Sequence, residues 1–489
     1  MKEAQIQPHK IRSPIQLLAV WFAALVLLDG LFLTAAGCIE QPIWVAPMLA
    51  IAAVVFVPTF LVPAFIMLTK FRPHLQDDEH YSKWAERNDP TPAKQYDKDM
   101  QKRSTQVIAE FTRGLSVDIL KTDDAAVIHN AVAVNLGKEP QDLKEKDYDS
   151  VTELSLYDKK ISDITLLKRC KNLRTLRLTK TGISDISPLA GLTKLTTLWL
   201  DNTHISDISA LNGLTKLRWL ELSDNKISDI SALNGLANLT NLYLSSNQIS
   251  DISSLEGLTK LILLDLNKTE VNDLTPIRGL SKLTYLGVST TQLDNIQAVS
   301  ELANLKFLGI TNTKVRDLAP IKQLNHLEDL FFSGTLVNTL EPLKGLNTLR
   351  QLSFRNTKID TFEPLKELTN LQTLKIQDTQ ISSLEPIKGL TNLMELWLSN
   401  NQITDLRPLA GLTNLRWLEL SDNKISDISV LKELTNLKML YLYNNQISDI
   451  SPLKDLKMLE GFYIEGCKNI TNKQVDELKK ALPDLEIDR

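Results

Sequence analysis

Residues 195–216 read LTTLWLDNTHISDISALNGLTK, and this stretch decides the fold. Its aliphatic residues Leu195, Leu198, Leu200, Ile205, Ile208, Leu211 and Leu214 stand at offsets 0, 3, 5, 10, 13, 16 and 19. Leu, Ile, Val or Phe recurs at those offsets every 22 residues from Val151 to Met458 without insertion, which makes fourteen full units and a terminal one. The close spacing at the start of each unit marks an extended strand and its turn, and the later three-residue steps mark tight helical turns. One such coil cannot bury its own apolar side; neighbours laid in register bury it continuously.

Two polar positions follow from that stacking. Offset 8 holds Thr203 in the quoted unit and Asn225, Asn247, Asn401, Asn423 or Asn445 in others. A coil that turns inward there needs a side chain able to bond backbone groups, which Asn does well and Thr less well. Offset 12 is mostly Asp (Asp163, Asp185, Asp207, Asp229, Asp251, Asp273, Asp317, Asp405, Asp427, Asp449), often with Pro three residues on. The spacing reads as a turn or cap residue in each coil rather than an acidic ligand ladder, and it lacks the glycines of a calcium-binding repeat.

The pattern LxxLxLxxNxIxDIxPLxxLxx resembles the 22-residue leucine-rich repeat of the bacterial internalin type, over about residues 121–489. The resemblance implies an α/β solenoid: a curved, right-handed coil with a parallel sheet on the concave side and 3-10 turns on the convex side. It also implies protein recognition as the task. Internalins are exported, and here the context differs, because two long apolar segments precede the repeats.

Those segments are 15–36 (IQLLAVWFAALVLLDGLFLTAA) and 43–68 (IWVAPMLAIAAVVFVPTFLVPAFIML), each long enough to cross a bilayer as a helix. They predict two N-terminal transmembrane helices forming a hairpin that binds the lipid bilayer. Lys2, Lys10 and Arg12 precede the first and Lys70 and Arg72 follow the second, with no Lys or Arg between Ser13 and Thr69. The positive-inside rule then leaves residues 1–14 and the repeats on the cytoplasmic side of a multi-pass inner-membrane protein. A competing reading takes Ala35-Ala36-Gly37-Cys38 as a degenerate lipoprotein cleavage box. The long apolar run ahead of it and the interruption at Asp29 speak against that. Asp29 has no basic partner in either span, and its bland reading is a position near the far interface.

Residues 70–120 are dense in both charge signs and read as a partly helical linker. Residues 121–150 hold a helix pattern between Thr122 and Gly137, placed to cap the open end of the stack over 151–466. Residues 467–489 read as a closing helix and strand. His129 is expected to be a cap residue, since no second ligand stands at metal spacing.

The chain has 489 residues, 43% of them hydrophobic, with 55 Lys+Arg against 59 Asp+Glu and a net charge of -4. That composition excludes a wholly disordered chain and carries no signature for nucleic acid. The three Cys (38, 170 and 467) form no CxxC or Cys/His cluster. Cys170 takes a core position and Cys467 an offset-8 position, so no disulfide framework, metal site or cofactor is expected.

Offsets 2, 4, 6 and 7 are expected to face away from the core. Trp199, Trp219, Tyr243, Tyr285, Phe307, Phe331, Trp397, Trp417, Tyr441, Tyr443 and Tyr463 gather there, including four of the seven Trp. Trp and Tyr anchor protein interfaces, so these are the candidate protein-binding residues, against the alternative of rings that only pack on one another along the sheet. The fifteen residues LRWLELSDNKISDIS at 217–231 recur identically at 415–429, nine units on. Copies roughly 40 Å apart at about 4.8 Å per strand suggest a two-point grip, or else a duplication without a selected role. Basic residues on the face (Arg177, Lys180, Lys268, Arg355, Lys375) are few and dispersed, which disfavours nucleic acid. No Ser/His/Asp, HExxH, GxxxxGK[ST] or CxxC arrangement is present, and no enzyme or small-molecule substrate is expected. The leading expectation is a membrane-anchored scaffold that captures an unidentified protein; the alternative is an exported effector or surface adhesin using the same face.

Overall fold

The computed structural model describes residues 124–489. The expected segments 1–14, 15–36, 43–68 and 70–120 lie outside the described residues. Among the described residues, no helix is long and apolar enough to cross a membrane.

The 22-residue rhythm appears directly as strands. Three-residue strands begin 22 residues apart from β1 (Glu153–Ser155) to β15 (Gly461–Tyr463), and β16 (Glu486–Asp488) ends the row. All sixteen form one parallel sheet in strict chain order. The register places each central residue on the next, as in Leu176 on Leu198 and Leu198 on Leu220. These central Leu are fully buried, together with the aliphatics at the other core offsets, in one continuous cluster. Short 3-10 turns such as Ser209–Leu211 and Ser231–Leu233 return the chain on the opposite side.

Offset 12 starts these turns. The Asp207 carboxylate accepts the Ser209 backbone N–H at 2.8 Å, and the Asp229 and Asp427 carboxylates do the same for Ser231 and Ser429. These bonds favour the ionised form and hold the three carboxyls below their ordinary range. Each Asp therefore shapes its own coil.

Offset 8 joins coils. Asn247 Nδ2 donates to Leu244 O in its own coil at 3.0 Å and to Leu222 O in the preceding one at 2.9 Å, while its Oδ1 accepts Ile227 N–H at 3.0 Å. Thr291 at the same offset donates only to Val288 O of its own coil, at 2.8 Å. Cys467 imitates part of the Asn role, its thiol donating to Leu442 O at 3.1 Å. Cys170 is buried in the core, and burial pushes its thiol up to about 12.

Offset 7 is mostly exposed, facing away from the core as expected, but it lies beyond the strand and not within it. The strands span offsets 2 to 4 only, and offset 7 adopts the left-handed conformation from Asp158 (φ 56°) through Asn202 (φ 52°) to Asn444 (φ 53°). The chain leaves the sheet there, and Asn, Asp or Gly tolerates that geometry best. Backbone pairing nevertheless continues beyond the strands, since Leu178 N donates to Trp199 O and Lys180 N to Asp201 O.

Both ends are covered by helices. At the N-terminal end α1 (Asp124–Leu136) buries Ile128, Val132 and Ala133, and Asp124 accepts the Ser162 and Asp163 backbone N–H groups at 2.8 Å. A short helix, α2 (Glu145–Tyr148), follows; His129 bonds Tyr148 Oη and Pro140 O. At the other end α3 (Asn472–Ala481) starts at a capping box of Thr471 and Gln474, and the chain then returns as β16 on β15.

Asn247→Ala should cost about 2–3 kcal/mol, because it removes the bonds to two coils and leaves the buried Ile227 N–H unpaired. Thr291→Val should cost about 1 kcal/mol or less, having lost one local bond. Urea unfolding of the two variants side by side measures the difference.

Candidate functional site

The first and third residues of each strand flank a buried central residue and face away from the core. The expected aromatics at these positions form three ladders. Trp199 ends β3 (Thr197–Trp199), Trp219 begins β4 (Trp219–Glu221) and Tyr243 ends β5 (Asn241–Tyr243). Their ring centroids are 6.4 and 5.1 Å apart in succession. Trp397 of β12 (Glu395–Trp397), Trp417 of β13 (Trp417–Glu419) and Tyr441 of β14 (Met439–Tyr441) repeat the arrangement at 5.3 and 5.1 Å. Tyr463 extends that ladder, stacked 4.4 Å from Tyr441. Tyr443 lies in the turn after β14, and its hydroxyl donates to Asp488 at 3.3 Å.

The middle ladder is different. Tyr285 of β7 (Tyr285–Gly287) stacks at 4.1 Å on Phe307 of β8 (Phe307–Gly309), which meets Phe331 of β9 (Asp329–Phe331) at 5.3 Å. The Phe307 ring lies against Gly309, where a Cβ would meet its Cε1 at 3.2 Å. Lying flat leaves Tyr285 only 2% and Phe307 6% exposed, and Tyr243 is also buried at 4%. Trp199, Trp219, Phe331, Trp397, Trp417, Tyr441, Tyr443 and Tyr463 stay part-exposed. Ring-to-ring packing is thus real in all three ladders, and the two outer ladders also keep surface for a partner. The indole Nε1 groups of Trp219, Trp397 and Trp417 are buried without a hydrogen-bond partner.

Two acids that sequence reasoning passed over sit among the outer rings. Register places Glu221 between Trp199 and Tyr243, and Glu419 between Trp397 and Tyr441. Each accepts a backbone N–H two residues on, from Ser223 at 2.9 Å and Ser421 at 2.8 Å. Burial pushes the Glu221 carboxyl up to about 8, with Asp201 and Asp265 adding to the rise. Burial also raises Glu419 and Asp201. Writing the repeats one beneath another at 22 residues would have shown both acids in the column of Trp199 and Trp397. Of the basic residues, Lys375 places Nζ 4.8 Å from the Trp397 ring centre, and Arg177 and Lys180 lie over Tyr157. Among the described residues no cluster of His, Cys, Asp and Glu could hold a metal ion.

A parallel sheet of 22-residue coils backed by 3-10 turns defines a leucine-rich repeat solenoid, and the comparisons agree. The family of two-copy leucine-rich repeats matches residues 171–213, 215–257, 369–411, 391–433, 413–455 and 435–480. An internalin of Listeria monocytogenes is 33% identical with a TM-score of 0.62, over 64% of this chain and 94% of that one. A leucine-rich repeat protein of Leptospira interrogans is 24% identical with a TM-score of 0.63, over 71% of this chain and 97% of that one. The ectodomain of the Arabidopsis thaliana membrane receptor kinase GASSHO1/SCHENGEN3 shares the fold at 18% identity and a TM-score of 0.53, over 67% of this chain and 45% of that one. No curated protein matches the chain. The chain belongs to the internalin-type leucine-rich repeat proteins.

The raised Glu221 sets a pH dependence. The unfolded chain releases this proton near 4.5, whereas the folded chain holds it to about 8. Between those values the unfolded state binds fewer protons, so rising pH favours unfolding. Thermal melting at pH 5, 7 and 8.5 should show the midpoint falling as pH rises, and Glu221→Gln should flatten much of that fall.

Proposed function

We propose that this chain is a membrane-anchored scaffold that holds a protein partner on the outer face of its leucine-rich repeat sheet. The carrying observation is the pair of outer ladders, in which Trp199, Trp219, Trp397 and Trp417 remain part-exposed on an otherwise largely polar sheet face. Large rings already ordered by their neighbours lose little conformational freedom on binding, and Trp and Tyr supply most of the energy in many protein interfaces. The work of the site is binding rather than catalysis.

The apolar segments 15–36 and 43–68 supply the anchor, and the flanking Lys and Arg keep the repeats in the cytoplasm. This places recognition at the inner face of the cytoplasmic membrane, with no role for nucleic acid or a small-molecule substrate. An exported effector or adhesin would show the same ladders to the outside.

Detergent extracts passed over the wild-type chain and over a Trp199/Trp219/Trp397/Trp417→Ala variant test the surface. One specific protein should be retained by the wild type and lost by the variant, each anchoring Trp contributing about 2 kcal/mol, or roughly 30-fold. Protease applied to intact cells should leave the repeats whole; cleavage from outside would reverse the orientation and favour the adhesin.

A further inference from the structure

The two outer ladders are copies of one chemical arrangement, and the copying reaches further than the identical fifteen residues. Down the column of third strand residues, β2 (Thr175–Arg177) to β5 carry Arg177, Trp199, Glu221 and Tyr243. From β11 (Thr373–Lys375) to β14 the same column carries Lys375, Trp397, Glu419 and Tyr441. Only the acid of each set lies inside the repeated stretch 217–231 or 415–429. The base, the indole and the phenol lie outside it, where adjacent outward residues have diverged: Thr197 against Glu395, Asp201 against Ser399, Asn241 against Met439. The column keeps its chemistry where these neighbours differ.

Each carboxylate stands between a Trp and a Tyr and accepts a Ser backbone N–H. Neither is paired with a Lys or Arg among the described residues, whose ion pairs lie elsewhere, as at Arg407–Asp405 and Lys438–Glu460. A half-buried carboxyl without a counter-charge keeps its proton, and a cation entering beside it favours the ionised form, gaining an ion pair and the part-exposed face of Trp199 or Trp397 together. The Trp397 ring already accepts the Lys375 ammonium on one side.

We propose that Trp199–Glu221–Tyr243 and Trp397–Glu419–Tyr441 are two equivalent subsites, each taking one arginine or lysine side chain of a single protein partner. The inference rests on the reading of the outer sheet face as the binding face, and it specifies the partner's chemistry. Nine strand spacings of about 4.8 Å separate the subsites by roughly 40 Å, so the partner is elongated or two-fold symmetric, with basic side chains that far apart. Asp201, beside Glu221, has Ser399 as its counterpart, which makes the first subsite the more acidic of the two.

The test uses the full chain and two synthetic peptides: a module, acetyl-GGRGG-amide, and a tandem of two modules joined by a Gly/Ser linker of about 40 residues, whose mean span of about 35 Å suits the separation. Tryptophan fluorescence should report weak binding of the module and at least tenfold tighter binding of the tandem, because the second contact becomes intramolecular. Glu221→Gln or Glu419→Gln should each return the tandem to module affinity, and a tandem with citrulline for arginine should not bind. Equal binding of the citrulline tandem, no gain from the tandem, no binding of it at 10 mM, or indifference to both Glu→Gln changes would each overturn the proposal. The citrulline comparison needs no variant, so it decides the matter even if a variant fails to fold. A natural partner lost by the Trp→Ala variant yet held at full strength by Glu221→Gln/Glu419→Gln would remove the cation subsites and leave the protein-recognition reading standing.

Discussion

Everything in this molecule depends on each coil burying the leucines of the next. A 22-residue coil on its own has one strand of three residues and one 3-10 turn, and its seven aliphatic side chains would stand half in water. Laid on a neighbour in exact 22-residue register, each of them becomes inaccessible, with roughly 1.5–3 kcal/mol gained per Leu or Ile. Because the gain comes only from neighbours, a slip of one residue in any coil would turn its polar residues into the core. The register is therefore fixed for the whole stack. The asparagines at offset 8 reinforce it, since each bonds backbone in its own coil and in the one before.

That constraint also makes the outer face. Strict register turns single outward residues into continuous columns, so a Trp in one strand necessarily meets whatever stands at the neighbouring positions of the next. Rings on successive strands become ladders, and an acid between rings becomes half-buried although it faces outward. The same geometry makes the middle ladder a closed one: Gly309 leaves room for Phe307 to lie down, and Tyr285 stacks upon it. The outer ladders have Glu221 and Glu419 in that column instead, and their indoles remain part-exposed.

The period, the strand positions, the turn-forming Asp and the inward Asn were all legible in the chain, because each repeats many times and has one physical explanation. Offset 7 faces outward as expected but lies past the strand, because side-chain alternation says which way a residue faces in a strand and not where the strand stops; the left-handed backbone at Asp158, Asn202 and their counterparts shows that. Glu221 and Glu419 escaped notice because a lone Glu in an alternating stretch reads as solvated, and its burial depends on rings supplied by other coils, 22 residues away on either side. The near-complete burial of Tyr285 and Phe307 was hidden for a similar reason, since it depends on the glycine two residues after Phe307 and on ring stacking that spacing alone does not reveal.

The central claim is that the outward tryptophans of this solenoid are a recognition surface acting as two linked copies. Hydroxyl-radical footprinting of the full chain, alone and with its captured partner, tests it most directly. Oxidation of Trp199, Trp219, Trp397 and Trp417 should fall together on binding, both pairs losing reactivity to a similar degree. Unchanged oxidation at all four, with protection confined to the 3-10 side, would contradict the account.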